Sequence, residues 1–157
     1  MLSLFFRNLF FTILQPGLVV GLVPYLILGY RYSQTWKNEL TALQYMAVII
    51  FIIGTAIMLY CIGMFAVKGR GTLSPADPTK KLVIAGLYKF SRNPMYVGVM
   101  LMLVAEAIFF HSIALCIYDV FVFMAFHGFI LLHEEPRLKS DFGEEYQQYM
   151  TRVKRWL

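Results

Sequence analysis

The amino-acid sequence predicts an all-α, polytopic membrane protein with four transmembrane helices, of which the third and fourth form a hairpin, and an amphipathic C-terminal helix. Apolar residues make up 59% of the chain and charged residues only 15%, whereas a soluble domain has about 45–50% apolar and about 25% charged residues. The apolar residues form long runs, and basic residues flank those runs. Lipid is therefore expected to surround much of the protein. The chain has 157 residues, a length that favours a single domain over residues 1–157.

Residues 1–67 are predicted to form the first two transmembrane helices. The first apolar run, residues 4–28, contains Pro24, and proline in a membrane helix usually kinks it because a backbone carbonyl loses its partner. The second run, residues 42–67, is long enough to cross a hydrocarbon core about 30 Å thick with some tilt. The N-terminal run lacks the layout of a cleaved signal peptide, so we expect it to be retained.

Residues 68–94 form the longest polar stretch of the chain, rich in glycine, proline and basic residues. A loop of this length in so small a protein is usually functional or disordered. Leu82, Val83 and Ile84 form an apolar island within it. The island indicates an ordered segment close to the membrane, so we interpret the stretch as a cytoplasmic loop with an ordered part.

Residues 95–133 are predicted to form the transmembrane hairpin. One helix through the whole segment would be about 57 Å long, which is far more than the bilayer needs. We place the break near His111 and Ser112. In residues 134–157, large apolar side chains recur at three- and four-residue spacing and Pro136 lies near the start. This pattern predicts an amphipathic helix on the cytoplasmic membrane surface.

The distribution of basic residues predicts the topology. With the N-terminus in the cytoplasm, only Arg31 and Lys37 of the 14 Lys and Arg residues lie outside. The positive-inside rule favours this orientation, so we expect both termini to be cytoplasmic in a cell membrane of the prokaryotic type. Nucleic acid is not an expected partner, because no basic stripe interleaved with aromatic residues is present. Cys61 and Cys116 lie inside apolar runs, and no metal site is predicted.

Two polar clusters are predicted to meet at the cytoplasmic end of the hairpin. Arg92 and Asn93 precede its first helix, and Glu134 and Glu135 follow its second. Because the two helices are antiparallel, the clusters should be neighbours in space. A surface ion pair alone would be worth about 0–1 kcal/mol. No GxGxxG motif or P-loop occurs in the sequence, so a nucleotide-like cofactor must be held in another way.

These clusters belong to a longer ordered pattern around the hairpin. Its pieces are Leu82-Val83, Gly86-Leu87-Tyr88, Arg92-Asn93-Pro94-Met95-Tyr96-Val97-Gly98, Glu134-Glu135, and Phe142-Gly143 followed by Tyr146 and Tyr149. In this order the pieces resemble the isoprenylcysteine carboxyl methyltransferase family and the related membrane phospholipid methyltransferases. The resemblance covers roughly the C-terminal half of the chain. It implies methyl transfer that depends on S-adenosylmethionine.

The resemblance also implies where the cofactor binds: on the cytoplasmic side, between the loop before the hairpin and the glutamate after it. The matching positions are Lys80, Lys81, Leu82, Val83, Tyr88, Asn93, Pro94, Met95, Tyr96 and Glu134. Asn93 stands where the commonest form of the family has histidine. An amide can donate and accept hydrogen bonds but cannot titrate, so we expect Asn93 to bind rather than act as a base. Ile130 stands where the eukaryotic prenylcysteine enzymes have an arginine for the substrate carboxylate, which argues against that substrate.

No single catalytic residue follows from the sequence, and the candidates are Arg92, His127 and Glu135. His127 lies seven residues before Glu134, so both should project from nearly the same helix face. It could deprotonate an amine or a thiol, or simply hydrogen-bond a neighbouring helix. Glu106 and Asp119 are intramembrane carboxylates, which are costly and often functional. We interpret them as structural groups, either neutral or paired with His111 or an outer-loop base.

The predicted function is methyl transfer to a lipophilic small molecule or an isoprenylcysteine-like acceptor that enters from the lipid bilayer. Soluble cofactor would enter from the cytosol. Three alternatives remain open at this point: a phospholipid (ethanolamine) N-methyltransferase, a membrane sterol-type reductase with a nicotinamide cofactor, and a non-catalytic membrane partner protein. The reductase is disfavoured because such chains are usually much longer.

Overall fold

The computed structural model describes residues 16–35, 39–64 and 82–156, and these residues form helices and connecting turns without a strand. Six α-helices occur among them: α1 (Val23–Leu28), α2 (Tyr30–Thr35), α3 (Ala42–Met64), α4 (Pro94–Phe109), α5 (Ile113–Phe129) and α6 (Glu135–Arg152). Two π-helical turns, Gly17–Leu22 and Ile130–Glu134, precede α1 and α6, and a 3-10 turn, Gly86–Lys89, precedes α4. The prediction of an all-α fold is confirmed.

Two helices of the described residues are long and apolar enough to cross a membrane. They are α3 and the continuous helix Ile113–Arg152, which comprises α5, the second π-helical turn and α6. Gly17–Leu28 and α4 are shorter apolar helices. Because α4 has 16 residues, it is about 24 Å long, somewhat less than a hydrocarbon core of about 30 Å. The length and composition of these two helices suit a membrane protein, while the count of four crossings stays a prediction.

The outward faces of α3 and α5 are apolar and lack a protein partner among the described residues. Ile49 and Ile52 on α3, and Phe121 and Met124 on α5, each expose more than half of their surface. Exposed apolar patches of this extent mark an interaction surface rather than a water-facing one. The expectation that lipid covers these faces stays a prediction.

Helices α3 and α4 approach closely because glycines face each other at their crossing. A Cβ atom on Gly54 would lie 2.6 Å from the carbonyl oxygen of Gly98, and a Cβ on Gly98 would lie 2.8 Å from that of Gly54. Small residues at a helix crossing let backbones come together and pack tightly without a hydrophobic driving force. Met58 and Met102 complete the buried core on either side.

The predicted hairpin turn is confirmed at His111 and Ser112. His111 adopts φ 49°, a left-handed conformation that reverses the chain, and the Ser112 hydroxyl accepts a hydrogen bond from the Leu115 amide at 3.4 Å as an N-cap. Nearby, the Gln44 side chain donates to the Phe109 carbonyl at 3.0 Å. This bond satisfies a carbonyl at the end of α4 and ties it to the start of α3.

The C-terminal helix differs from the prediction of one amphipathic helix over residues 134–157. Pro136 does lie in its first turn, but Gly143 breaks its regular geometry with φ 50° and ψ −122°. Only glycine adopts such angles readily, and the sequence pattern alone did not indicate the break. The helix ends at Arg152, and Val153 is extended with φ −124° and ψ 129°. The last described residues therefore form an extended tail rather than a helical turn.

We expect Gly54→Ala to lower the free energy of unfolding by about 1–3 kcal/mol, because the added methyl group overpacks α3 against α4. Gly63→Ala in the same helix is the matched control, since nothing lies within 4 Å of its added Cβ. That variant should keep the stability or raise it by up to about 1 kcal/mol. Denaturation of the purified protein in detergent measures both changes. Equal midpoints for the two variants would contradict the close crossing.

Candidate functional site

A pocket lies where the two ends of the hairpin meet the loop before α4 and the helix α6; we call it the hairpin pocket. It is lined by Leu82, Val83, Tyr88, Arg92, Asn93, Ile130, Glu134, Glu135, Leu138, Tyr146 and Tyr149. The predicted meeting of the two polar clusters therefore occurs in the structure. Five of the residues predicted to bind the cofactor line this pocket: Leu82, Val83, Tyr88, Asn93 and Glu134.

Other predicted site residues lie beside the pocket or outside the described residues. Pro94, Met95 and Tyr96 form the first turn of α4, directly after Asn93. Lys80 and Lys81 fall outside the described residues. The cavity between the lining residues is about 60 Å³, far below the roughly 300–1,000 Å³ of most small-molecule pockets. The hairpin pocket in this structure is therefore too small to enclose a cofactor-sized molecule.

Glu135 is the centre of a buried ion-pair network at the pocket. Its carboxylate accepts two hydrogen bonds from the Arg155 guanidinium, from Nε at 2.7 Å and from Nη2 at 3.0 Å. Arg92 Nη1 lies 3.1 Å from Glu135 Oε1. Two parallel hydrogen bonds from one guanidinium to one carboxylate are the strongest geometry available to an ion pair. The pairing with Glu135 raises the pKa of the Arg155 guanidinium above its ordinary value. Glu135 is therefore satisfied as an anion, which fits a positioning role better than a catalytic one.

The extended C-terminal tail lies along the loop that leads into α4. The Arg92 amide donates to the Lys154 carbonyl at 2.9 Å, and the Asn93 side-chain amide donates to the Arg155 carbonyl at 2.9 Å. The Ser91 hydroxyl donates to the same carbonyl at 3.3 Å. Asn93 is predicted to bind the cofactor. In the structure, its side-chain amide nitrogen instead donates a hydrogen bond to the backbone of the tail.

Arg155 is the member of the Glu135 network that the sequence did not predict. The amphipathic helix predicted over residues 134–157 includes Arg155, whereas in the structure its side chain reaches Glu135 from the extended tail. No helical spacing links the two residues, so no periodic pattern could have paired them. Tyr146 and Tyr149, by contrast, belong to the recurring pattern that the sequence analysis quoted, and both line the pocket.

Glu134 has a different partner from Glu135. The Tyr96 hydroxyl donates to its Oε1 at 3.2 Å, and the Tyr96 ring packs on Phe126 with centroids 4.7 Å apart. Glu134 is half-buried, and a carboxylate can accept about four hydrogen bonds. It therefore retains capacity for a ligand that donates hydrogen bonds or carries positive charge.

Arg92 offers the opposite charge on the same pocket. Its side chain is 9% exposed, and its Nε and Nη1 atoms are buried without a hydrogen-bond partner among the described residues. Arg92 lies within ion-pair distance of Glu135, but the N–H groups of Arg92 are not aligned with the Glu135 carboxylate. A buried guanidinium with unused donors is costly, and an anionic group in the pocket would satisfy it.

The 3-10 turn before Arg92 is fixed by a glycine and two tyrosines. Gly86 adopts φ 59°, and a Cβ there would collide with the Tyr60 hydroxyl, so only glycine fits. The Tyr149 hydroxyl donates to the Tyr88 carbonyl at 2.6 Å, which joins the turn to α6. Burial raises the pKa of the Tyr88 phenol, and the neighbouring Cys61 thiol raises it further. The Tyr88 ring therefore remains neutral at the pocket wall.

His127 does not line the hairpin pocket. Its Nδ1 accepts a hydrogen bond from the Trp156 indole at 3.3 Å, and Phe123 stacks on it with centroids 6.0 Å apart. Because Nδ1 accepts this hydrogen bond, a neutral His127 ring carries its proton on Nε2. In the part of the chain that the structure describes, no group of three or more His, Cys, Asp or Glu residues could hold a metal ion.

Comparison with known proteins identifies the relatives of the chain. A family model described as phospholipid methyltransferase matches residues 42–145, which is more than half of the chain and includes α3 and the hairpin. An uncharacterized protein of Haemophilus influenzae is 30% identical over 63 residues, covering 40% of this chain and 100% of that protein. No solved structure matches the chain.

We expect Glu135→Ala to lower the free energy of unfolding by about 3–5 kcal/mol, because it leaves Arg92 and Arg155 without their shared anion in a mostly buried site. The tail should also detach, so trypsin should cleave after Lys154 faster than in the wild type. Glu145→Ala is the matched control, since Glu145 is exposed on the same helix. Detergent denaturation and limited proteolysis measure the two effects. Unchanged cleavage in Glu135→Ala would contradict the role given to this network.

Proposed function

The chain belongs to the phospholipid methyltransferase family, and we propose that it transfers a methyl group from S-adenosylmethionine to a lipophilic acceptor at the cytoplasmic membrane face. Family membership implies methyltransferase activity in general. The observation that carries the finer proposal is the pair of opposed charges in the hairpin pocket: Glu134 with unused acceptor capacity and Arg92 with unused donors.

The two charges suit the amino-acid end of S-adenosylmethionine, which carries an ammonium group and a carboxylate. Glu134 can accept hydrogen bonds from the ammonium group, and Arg92 can donate to the carboxylate. Tyr88 and Tyr96 present aromatic rings that favour a nearby cation. The residues present therefore fit this part of the cofactor. The binding roles of Lys80 and Lys81 stay predictions.

Methyl transfer places modest demands on acid–base groups. When bound, the cofactor would supply a methyl group on a positively charged sulfur, and Glu134 and Arg92 would hold its amino-acid end. The protein must align the partners and exclude water. Val83, Ile130 and Leu138 provide apolar pocket walls for this purpose, and the buried network at Glu135 holds the surrounding segments in place.

We further infer that the chain crosses the membrane four times with both termini in the cytoplasm. This topology keeps nearly all basic residues inside and places the hairpin pocket where the cytosol meets the bilayer. A water-soluble cofactor and an acceptor dissolved in lipid could then reach the same pocket from different sides. The bilayer and the lipophilic acceptor are the partners that this proposal requires. The cell membrane of a prokaryote is its proposed location.

Calorimetry with S-adenosylhomocysteine tests the cofactor assignment. We expect the detergent-purified wild type to bind it and Glu134→Ala to bind it roughly 10- to 150-fold more weakly, as is typical for loss of a charged hydrogen bond. Glu144→Ala, which removes an exposed carboxylate of α6, should bind like the wild type. Absence of binding by the wild type would contradict the cofactor proposal. Equal binding by Glu134→Ala would contradict only the role of Glu134.

A histidine variant tests whether a base is used. Because Trp156 already occupies His127 Nδ1, we expect His127→Ala to lower turnover less than about tenfold, below the roughly 10²–10⁴-fold effect of a lost general base. His133→Ala is the control, since His133 is exposed farther along the same continuous helix. Methylation of membrane extracts with labelled cofactor measures turnover. A loss within the larger range would assign the base role to His127 and favour an amine head group as acceptor.

A further inference from the structure

The loop before α4 and the end of the chain meet at the same end of the hairpin; we call residues 89–92 and 152–156 the loop–tail surface. The Arg92 amide donates to the Lys154 carbonyl at 2.9 Å, and two further hydrogen bonds join the same segments. Because Pro94 begins α4, the surface lies within a few residues of an apolar helix. Under the proposed topology, it lies at the boundary of the membrane.

Three basic side chains lie on the loop–tail surface without an acidic partner. Lys89, Arg152 and Lys154 are exposed, and none of them forms an ion pair among the described residues. Val153 is buried and extended, and alternate side chains of an extended segment point to opposite faces. Arg152 and Lys154 therefore face outward together.

The surrounding sequence does not offset these positive charges. Residues 82–105 and 146–157 contain no Asp or Glu. Glu145, the acid that precedes the second of these segments, stands seven residues before Arg152, which corresponds to about 10 Å along α6. Glu135 is buried and belongs to the ion-pair network already described. The positive charge of the surface is therefore available to an anionic partner.

Aromatic side chains accompany the basic ones. Phe90, directly after Lys89, is 74% exposed. In the tail, the Trp156 ring packs on Phe123 of α5, with centroids 5.1 Å apart. Aromatic residues are enriched where the apolar core of a bilayer meets the headgroups, and long basic side chains reach the headgroups from that depth. The combination is typical of a surface that rests on lipid.

The unpaired charge selects the kind of lipid. A zwitterionic headgroup balances its phosphate with its own amine, whereas an anionic headgroup has a net negative charge for the basic residues to meet. Each Lys or Arg near an anionic membrane surface strengthens binding about fivefold. A free phosphate ion would match these charges but would leave the Phe90 ring in water.

We propose that the loop–tail surface binds the headgroups of anionic lipids. Lys89, Arg152 and Lys154 contact the phosphate groups in this arrangement. The Phe90 ring lies among the upper parts of the acyl chains. The inference rests on the proposed membrane topology but not on methyl transfer, because none of these four residues lines the hairpin pocket.

Tryptophan fluorescence of the full chain, reconstituted in phosphatidylcholine vesicles, tests the proposal. The chain has two tryptophans, so Trp36→Phe leaves Trp156, which belongs to the surface, as the reporter. Lipids with brominated acyl chains quench a nearby tryptophan, and phosphatidylglycerol and phosphatidylcholine are compared in brominated form at equal mole fraction. We expect phosphatidylglycerol to bind at this surface about fivefold or more tightly than phosphatidylcholine.

Charge variants on the same background identify the residues responsible. A protein with Lys89→Gln, Arg152→Gln and Lys154→Gln should lose the preference. Arg137→Gln is the matched control and should retain it, since Arg137 is exposed but paired with Asp141 at 3.6 Å. Equal quenching by the two lipids before these changes, or an unchanged preference after the triple change, would overturn the proposal. Loss of the preference on addition of millimolar inorganic phosphate would assign the site to a free anion and overturn it too.

A second reporter keeps the test decisive if the triple variant does not fold. Phe90→Trp, combined with Trp36→Phe and Trp156→Phe, leaves a single tryptophan at position 90. We expect brominated acyl chains to quench it, and phosphatidylglycerol to do so more strongly than phosphatidylcholine. Absence of quenching would place position 90 outside the bilayer and overturn the proposal. S-adenosylhomocysteine binding, measured on the Trp36→Phe protein, separates these results from any failure of the methyl-transfer proposal.

Discussion

The arrangement of the site depends on the ion pairs of Glu135, a carboxylate that is only 6% exposed. Burying a charge is expensive, and it is tolerated only when opposite charges and hydrogen bonds compensate it. Here the compensation comes from Arg92 in the loop before α4 and from Arg155 in the extended tail. Three segments that are distant in sequence are therefore held together by one side chain. The loop, the start of α6 and the tail cannot move apart without exposing an unpaired charge in a poorly solvated place.

This network also explains how two adjacent glutamates come to have different environments. Glu135 accepts two hydrogen bonds from Arg155 and is paired with Arg92, whereas Glu134 accepts a single hydrogen bond within the described residues, from Tyr96. The saturated carboxylate fixes the backbone, and the other remains available on the pocket wall. Arg92 shares in both functions, since it approaches Glu135 while keeping buried donors unused. Under the proposed function, structure and ligand recognition use neighbouring groups of the same short motif.

Much of this fold could be predicted from the sequence, because its main signals are local. Apolar run lengths predicted the helices, and the excess length of residues 95–133 predicted the turn at His111 and Ser112. Antiparallel packing then predicted that Arg92 would meet the glutamate pair. The rest depends on tertiary contacts that periodicity does not encode. The extended tail, the Arg155 pairing and the Asn93 contact all arise because residues 153–156 leave the helix and lie against the loop. The Gly143 break was missed for the same reason, since a glycine within an amphipathic pattern does not reveal its backbone angles.

The π-helical turn Ile130–Glu134 has a consequence for how the sequence can vary in length. Such a turn adds one residue relative to an α-helix, and each residue rotates a helix by about 100°. Insertion or deletion of a single residue between the Ser112 cap and Glu134 would therefore rotate both carboxylates away from Tyr96 and the arginines unless the turn changed to absorb it. The widened turn can give up its extra residue and return to α-helical form. The deletion of one residue from α5 can therefore be tolerated while Glu134 and Glu135 keep their orientation.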